Sequence, residues 1–425
     1  ITERLVGSEM CIRDRFISVI FLFGIAFSAN AVTIKWLGLM QDDSAHKADI
    51  DAAIADWEAK TGHKVKWQYM AGPDLKLKLP TMLQSDDAPH LFYSWGGGVM
   101  FDQADAGFLQ DISALVPDSY LENLSPAAAD AFTYKGERVG LPNLFNQVVF
   151  WYNKDLTEKA GVDPSKVVMW NDLLEVVKDI KDAGITPICV GGKNKWPIHF
   201  YWTLLHVRNG GKTAFFDALE NGGWDREEYI KSGYEFQQLV DLEPFQDGFM
   251  AVEYGDASAA FGNGECALHL MGSWDYNGAK RRSTSGEGIP DDRMGTFQFP
   301  MTENGKGNPS DTLGGINGWL VSKNAPKEAV DFLMHYISMK YQSMGAKSGA
   351  YMPIYKGAEA EMGNQFFKQQ ALNVGNSTFH SIFWDQYLGR DIGEVVNDVS
   401  VELATKDITP EEATQRVQEA WEFNQ

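Results

Sequence analysis

Cysteine is scarce in this chain: Cys11, Cys189 and Cys266 are the only three among 425 residues. No Cys-x-x-Cys pair occurs, which excludes the common thiol redox and zinc motifs. Cys189 and Cys266 fall in stretches that read as buried strands. Free thiols are the expectation there, with a disulfide as the alternative in an oxidising compartment. Long apolar runs are scarce too. Residues 16–27 form a run of about a dozen, against the roughly 20 that span a bilayer, and no second run approaches that length. Arg13 and Arg15 precede the run, and Ser28-Ala-Asn-Ala31 closes it with the small-x-small pattern of a signal-peptidase site. Residues 1–31 are therefore read as a signal peptide plus a non-native leader at 1–10, with the mature chain expected from near Val32. Cys11 lies ahead of the apolar run, so it is not the lipid-modified cysteine of a lipoprotein, and a soluble, periplasm-like destination is expected.

Basic charge is in deficit: 37 Lys+Arg stand against 58 Asp+Glu, a net charge of -21. Such a surface repels nucleic acid and anionic lipid and argues against both as partners. Catalytic signatures are missing as well. There is no Gly-x-Ser-x-Gly elbow and no His-Glu-x-x-His helix. Gly211-Lys-Thr213 ends like a phosphate-binding loop, but the first glycine such a loop requires would fall at His206. The eight histidines are scattered, and His199 and His206 share a helical face as core residues do. Glycoside hydrolysis needs a pair of flanking carboxylates, and nothing in the sequence singles one out. The chain is read as a binder rather than an enzyme, with no metal and no cofactor.

What is present is an ordinary globular composition, 44% hydrophobic and 22% charged, over a length that suits two domains. Residues 32–39, 65–69 and 91–94 read as strands separated by helices, the βαβ rhythm of a parallel sheet covered on both faces. Gly62 reads as the C′ glycine of the first helix. Lys135-Gly136 turns a hairpin, and 148–152 is a β-branched and aromatic run suited to a strand buried on both faces. Asn171 is the expected cap of a helix with Leu173, Val177 and Ile180 on its apolar stripe, Trp170 lying just outside. Thr409-Pro-Glu-Glu412 is a capping box that opens the last helix.

Several of these stretches, in their order, resemble the extracellular solute-binding proteins that deliver sugars to ABC importers, the family of maltose-binding-protein-like receptors. The matching residues are Gly140-Leu-Pro142, Tyr152-Asn-Lys-Asp-Leu156, Lys159-Ala-Gly161 and Trp170-Asn-Asp-Leu173. Ala104-Asp-Ala-Gly-Phe-Leu109, the segment ending Gly272-Ser-Trp274, and Gly314-Gly-Ile-Asn-Gly-Trp319 follow the same pattern. The resemblance implies an α/β fold of two lobes (periplasmic-binding-protein type II-like), each a mostly parallel sheet flanked by helices. It implies three crossings, near 143–147, 276–292 and 345–353. The lobes would comprise 32–143 with 293–346, and 144–292 with 347–425. The ligand implied is a neutral mono- or short oligosaccharide, the partners ABC permease subunits, and the protein itself a monomer. A polyol, phosphorylated polyol or small acid is the second ligand class, and a secreted carbohydrate-active enzyme the third reading.

The tryptophans sort into two groups. Trp57, Trp67, Trp151, Trp170, Trp202 and Trp421 lie on apolar faces or at caps and are expected in the core. Trp95, Trp196, Trp274, Trp319 and Trp384 are glycine-flanked or loop-like and mostly follow strands. A pyranose presents an apolar face that stacks on aromatic rings and a rim of hydroxyls that needs paired donors and acceptors. Open α/β sheets place ligands at the carboxyl ends of their strands. These five tryptophans are therefore the expected ligand contacts. Asp42 and Asp43 are expected hydroxyl acceptors, and Asn317, Gln147, Asn146 and Lys195 further polar contacts. Asn317 stands where many relatives carry an acidic residue. Asp275, Asp385 and Gln386 enter only as neighbours of tryptophan.

Overall fold

The computed structural model describes residues 31–39 and 44–425. The segment expected to be a signal peptide, apart from Ala31, and both Asp42 and Asp43 lie outside the described residues. Twelve strands are assigned among those described: β1 Thr33–Leu39, β2 Lys64–Met70, β3 Leu91–Ser94, β4 Thr133–Tyr134, β5 Glu137–Arg138, β6 Gly140–Asn153, β7 Thr186–Ile188, β8 Cys266–Gly272, β9 Met294–Phe297, β10 Thr312–Val321, β11 Met352–Pro353 and β12 His380–Ile382. Ten of them form one mixed sheet whose main path is β2-β1-β3-β10-β6-β8-β7. Its outer pairs, β1 with β2 and β3 and β7 with β8, are parallel. The two long central strands, β6 and β10, run antiparallel to each other.

Two large hydrophobic cores lie along this sheet. The first gathers Ile34, Trp36, Phe92, Leu141, Trp319 and Phe332, and the second Val148–Tyr152, Trp170, Trp202, Leu268, Trp384 and Val417. Two strands run from one core into the other. In β6, Leu141 belongs to the first core and Val148 to the second; in β10, Leu313 belongs to the second and Trp319 to the first. Glycines let these two strands lie close: a Cβ on Gly314 would stand 1.9 Å from the Asn146 carbonyl oxygen, and one on Gly318 2.2 Å from that of Leu141. The third passage follows Ile354 of the first core, just after β11 has paired with β6, and reaches the second core at Phe366.

The second crossing therefore lies in β10 and not at 276–292. Residues 275–282 are a helix, and Ala279 and Ile289 pack in the second core. The strand β9 pairs with β6 at Phe150–Asn153, so Met294, Phe297 and Phe299 also join the second core. The glycine-rich stretch before β9 resembles a linker in sequence but is a surface loop of one core.

Local signals account for several elements. Gly62 follows the first helix with φ 74 and donates its N–H to the Glu58 carbonyl. Lys135 and Gly136 turn the β4–β5 hairpin with φ 49 and 85. Thr409 and Glu412 exchange capping hydrogen bonds, with Pro410 in the first turn. At the helix Trp170–Asp182 the capping differs from expectation. Trp170 is its first residue, and the Asp172 carboxylate, not Asn171, accepts the N–H groups of Val168 and Met169 at 3.0 and 2.7 Å. The expectation of free thiols is also corrected. Parallel pairing of β7 with β8 brings the Cα atoms of Cys189 and Cys266 to 5.8 Å, and the two form a disulfide.

Candidate functional site

The strands that end between the two cores deliver loop residues to one cavity of about 540 Å³. Leu39 closes β1, Tyr93 lies near the end of β3 and Trp95 follows it, Asn194 and Trp196 follow β7, and Trp274 follows β8. Alternation along the central strands decides what else faces it. Leu144, Asn146 and Asn317 line this cavity, while Phe145 and Ile316 face a second one of about 900 Å³ on the other side of the β6–β10 ribbon. Trp95 lines both.

The wall from the second core is aromatic. The Trp196 ring centre lies 4.9 Å from Tyr254, 5.4 Å from Phe200 and 6.3 Å from Trp274, and Trp274 meets Phe383 edge-on at 5.8 Å. The wall from the first core carries Tyr93 and Trp95 in edge-to-face contact at 5.3 Å. Lys76 stands on the helix Gly72–Leu83 with its Nζ 5.1 Å from the Trp95 ring centre. The same Nζ donates to Asp385 Oδ2 at 3.1 Å, an ion pair that links the two cores across the cleft.

Asp385 is the most loaded polar group of the cleft. Gln386 donates to the same oxygen at 2.8 Å, and His199 Nε2 lies 3.8 Å from Oδ1. Burial pushes this carboxyl up, but Lys76, His199 and the donated hydrogen bonds outweigh it and hold the carboxyl below the ordinary range. His199 is fully buried, and that burial pulls its imidazole down, toward the neutral form. Asn317 donates its amide to the Tyr93 hydroxyl at 2.7 Å, leaving its Oδ1 without a partner. Burial and the neighbouring Asp275 carboxylate push the Tyr254 hydroxyl well above its usual value, so it stays a donor, to Asp275 Oδ1 at 2.6 Å.

Of the residues singled out from the sequence, Trp95, Trp196, Trp274 and Asn317 line this cavity, together with Asn146, Asp385 and Gln386. Trp319 does not. It is 2% exposed and lies within β10, its ring 4.7 Å from Trp36 and 5.3 Å from Tyr93, one layer behind the cleft. Trp384 packs in the second core against Phe215 and Trp224 and donates to Ser381. Gln147 is buried and accepts from Asn373, Lys195 is ion-paired with Asp398, and Asp275 is buried behind Tyr254. Sequence reading passed over Lys76, Tyr93, Phe200, Tyr254 and Tyr351, which also line the cavity. Tyr254 opens a helix after an irregular stretch, with no local pattern to mark it. Tyr93 stands just before Trp95, on the strand whose end the sequence did indicate.

Comparison with known proteins agrees with this architecture. Residues 41–343 match the family described as bacterial extracellular solute-binding protein. An uncharacterized ABC transporter extracellular-binding protein of Pyrococcus horikoshii is 26% identical over 234 residues, 54% of this chain and 53% of that protein. A probable sugar-binding periplasmic protein of Mesorhizobium japonicum is 25% identical over 317 residues, 72% of this chain and 73% of that protein. The match thus spans about half of the first relative's length and nearly three quarters of the second's. Among solved structures, one from work on xylan utilization by Caldanaerobius polysaccharolyticus superposes with a TM-score of 0.84 at 25% identity, covering 91% of this chain and 99% of that one. With its two cores, its crossing strands and this match over most of its length, the chain belongs to the bacterial extracellular solute-binding proteins.

Proposed function

We propose that the protein captures a neutral mono- or short oligosaccharide in the cleft between its two cores and passes it to the membrane subunits of an ABC importer. The observation that carries this reading is the composition of the cleft wall. Tyr93, Trp95, Trp196, Phe200, Tyr254, Trp274, Tyr351 and Phe383 line it, against three cationic side chains, Lys76, Arg281 and Arg282. Rings of this kind stack on the apolar faces of pyranoses, while Asn146, Asn317, Asp385 and Gln386 supply donors and acceptors for hydroxyls. The names of the Mesorhizobium relative and of the xylan-utilization structure support the same ligand class.

Each core acts as one lobe in this reading, with residues 294–313 moving with the second. Ligand caught on one wall favours closure only through contacts completed by the other, so the β6–β10 ribbon and the passage after Ile354 carry the hinge. The protein works exported, free of a lipid anchor and as a monomer, and it performs no chemistry on its ligand. Tryptophan fluorescence of the protein titrated with sugars, polyols, a polyol phosphate and organic acids tests this, with chromatography of each mixture for products. A saturable response to a sugar with no product formed is expected. A response confined to charged solutes, or turnover of an oligosaccharide, would replace the reading.

A further inference from the structure

Asp275 is a carboxylate with almost no access to water, 2% exposed, in the first turn of the helix Asp275–Arg282 immediately after the cleft residue Trp274. Its Oδ1 accepts from the hydroxyls of Tyr254 and Ser258, both at 2.6 Å, and lies 3.5 Å from Arg282 Nη1. Its Oδ2 is 3.0 Å from His269 Nε2, and the other nitrogen of that ring is 2.8 Å from the carbonyl oxygen of the disulfide-bonded Cys189. Two of these partners, Tyr254 and Arg282, line the cleft, while His269 leads back into the β7–β8 pair. Tyr254 is gripped at its other end as well, because its backbone N–H donates to Asn194 Oδ1 at 2.6 Å. Its ring then stands 4.9 Å from Trp196, with the Arg282 guanidinium 5.0 Å above it. Gly278 keeps the arrangement open, since a Cβ there would come within 2.7 Å of Asp275 Oδ1 and 2.4 Å of Arg282 Nη1.

We infer that Asp275 is a positioning residue for ligand binding: through Tyr254 and Arg282 it fixes the aromatic wall of the second core in the geometry that receives the ligand. The inference deepens the proposed binding role and rests on it. A buried charge whose partners converge on one surface holds that surface rigid, because loss of the charge leaves several donors unpaired at once. A wall held in place before binding also spares the ligand the entropy of ordering it.

The test uses the variants Asp275→Asn, Tyr254→Phe and their combination, with two readouts. The first is hydrogen–deuterium exchange of the unliganded protein at 192–196 and 254–258, with 148–152 as the reference. The second is affinity for glucose, xylotriose, chitotriose and raffinose. Each single variant is expected to speed exchange at both segments about tenfold, leave the reference unchanged, and weaken sugar binding about tenfold. The double variant is expected to do no worse than the weaker single one, because both break the same link. A lowered melting temperature with wild-type exchange and affinity would overturn the inference and leave Asp275 merely structural. Faster exchange with unchanged affinity would overturn it too. If Asp275→Asn does not fold, Tyr254→Phe removes the hydroxyl alone, and wild-type behaviour there has the same meaning. If the wild-type protein takes none of the four sugars, it is the proposed function that fails for them, and exchange alone decides whether Asp275 positions the wall.

Discussion

Trp274 and Trp319 stand in nearly the same sequence setting, each within two residues of a glycine, and the fold uses them differently. The strand β8 ends at Gly272, so Trp274 lies past it and reaches the cleft. The glycines near Trp319 do not end a strand; they allow β10 to lie tightly against β6, and the tryptophan continues into the first core. That distinction depends on which strand neighbours which, and no local pattern records it. Trp319→Ala should therefore cost about 3–5 kcal/mol of stability in denaturant unfolding, as expected for emptying a core site. Trp274→Ala and Trp196→Ala should instead each weaken sugar binding by about 1–3 kcal/mol at near wild-type folding. Affinity unchanged in both would remove them from the site.

Buried histidines give the protein a defined acid weakness. Burial pulls His206 down to about 3, against an ordinary value near 6.5. Between about pH 6.5 and that folded value the unfolded chain binds the proton and the folded one does not, so stability is complete above about 6.5 and falls as the pH drops. Each depressed unit is worth about 1.4 kcal/mol, and unfolding free energies at pH 7.5 and 5 should differ in that sense. His206→Gln should reduce the difference, with the buried His199 and His380, also pulled down, keeping part of it, and a slope unchanged in that variant would assign the effect elsewhere.

Among the elements, those set by neighbouring residues were legible in the sequence. The hairpin at Lys135-Gly136, the C′ glycine at Gly62 and the Thr409–Glu412 cap each need only a few adjacent side chains, and each is formed. The disulfide was open to sequence reasoning only as an alternative, because Cys189 and Cys266 are 77 residues apart and meet through parallel strand pairing. A bridge over so long a loop mainly restricts the unfolded chain. Replacing both cysteines by alanine should lower stability by about 2–4 kcal/mol in chemical unfolding, and equal midpoints would show that the bridge adds nothing. The second crossing escapes sequence reasoning for a related reason. A glycine-bearing loop at 286–288 resembles a linker, whereas the actual passage is a strand whose glycines resemble a turn.

For the whole molecule, one mixed sheet runs through two cores, and the central antiparallel strands place a different cavity on each of their faces. Strand ends and the tryptophans that follow them mark the cavity of Trp95, Trp196 and Trp274 in the sequence itself. Lys76, Tyr254 and the Lys76–Asp385 bridge could not be foreseen, since they depend on how the two cores face each other. In the proposed function, the cavity holding Trp95, Trp196 and Trp274 takes the sugar. Hydrogen–deuterium exchange of the whole chain, with and without a saturating sugar, decides whether it does. Simultaneous protection at 93–95, 194–196 and 272–274, on both walls, is the expected result. Protection confined to the opposite cavity, around Phe145, Phe215 and Phe379, or confined to one wall, would contradict it.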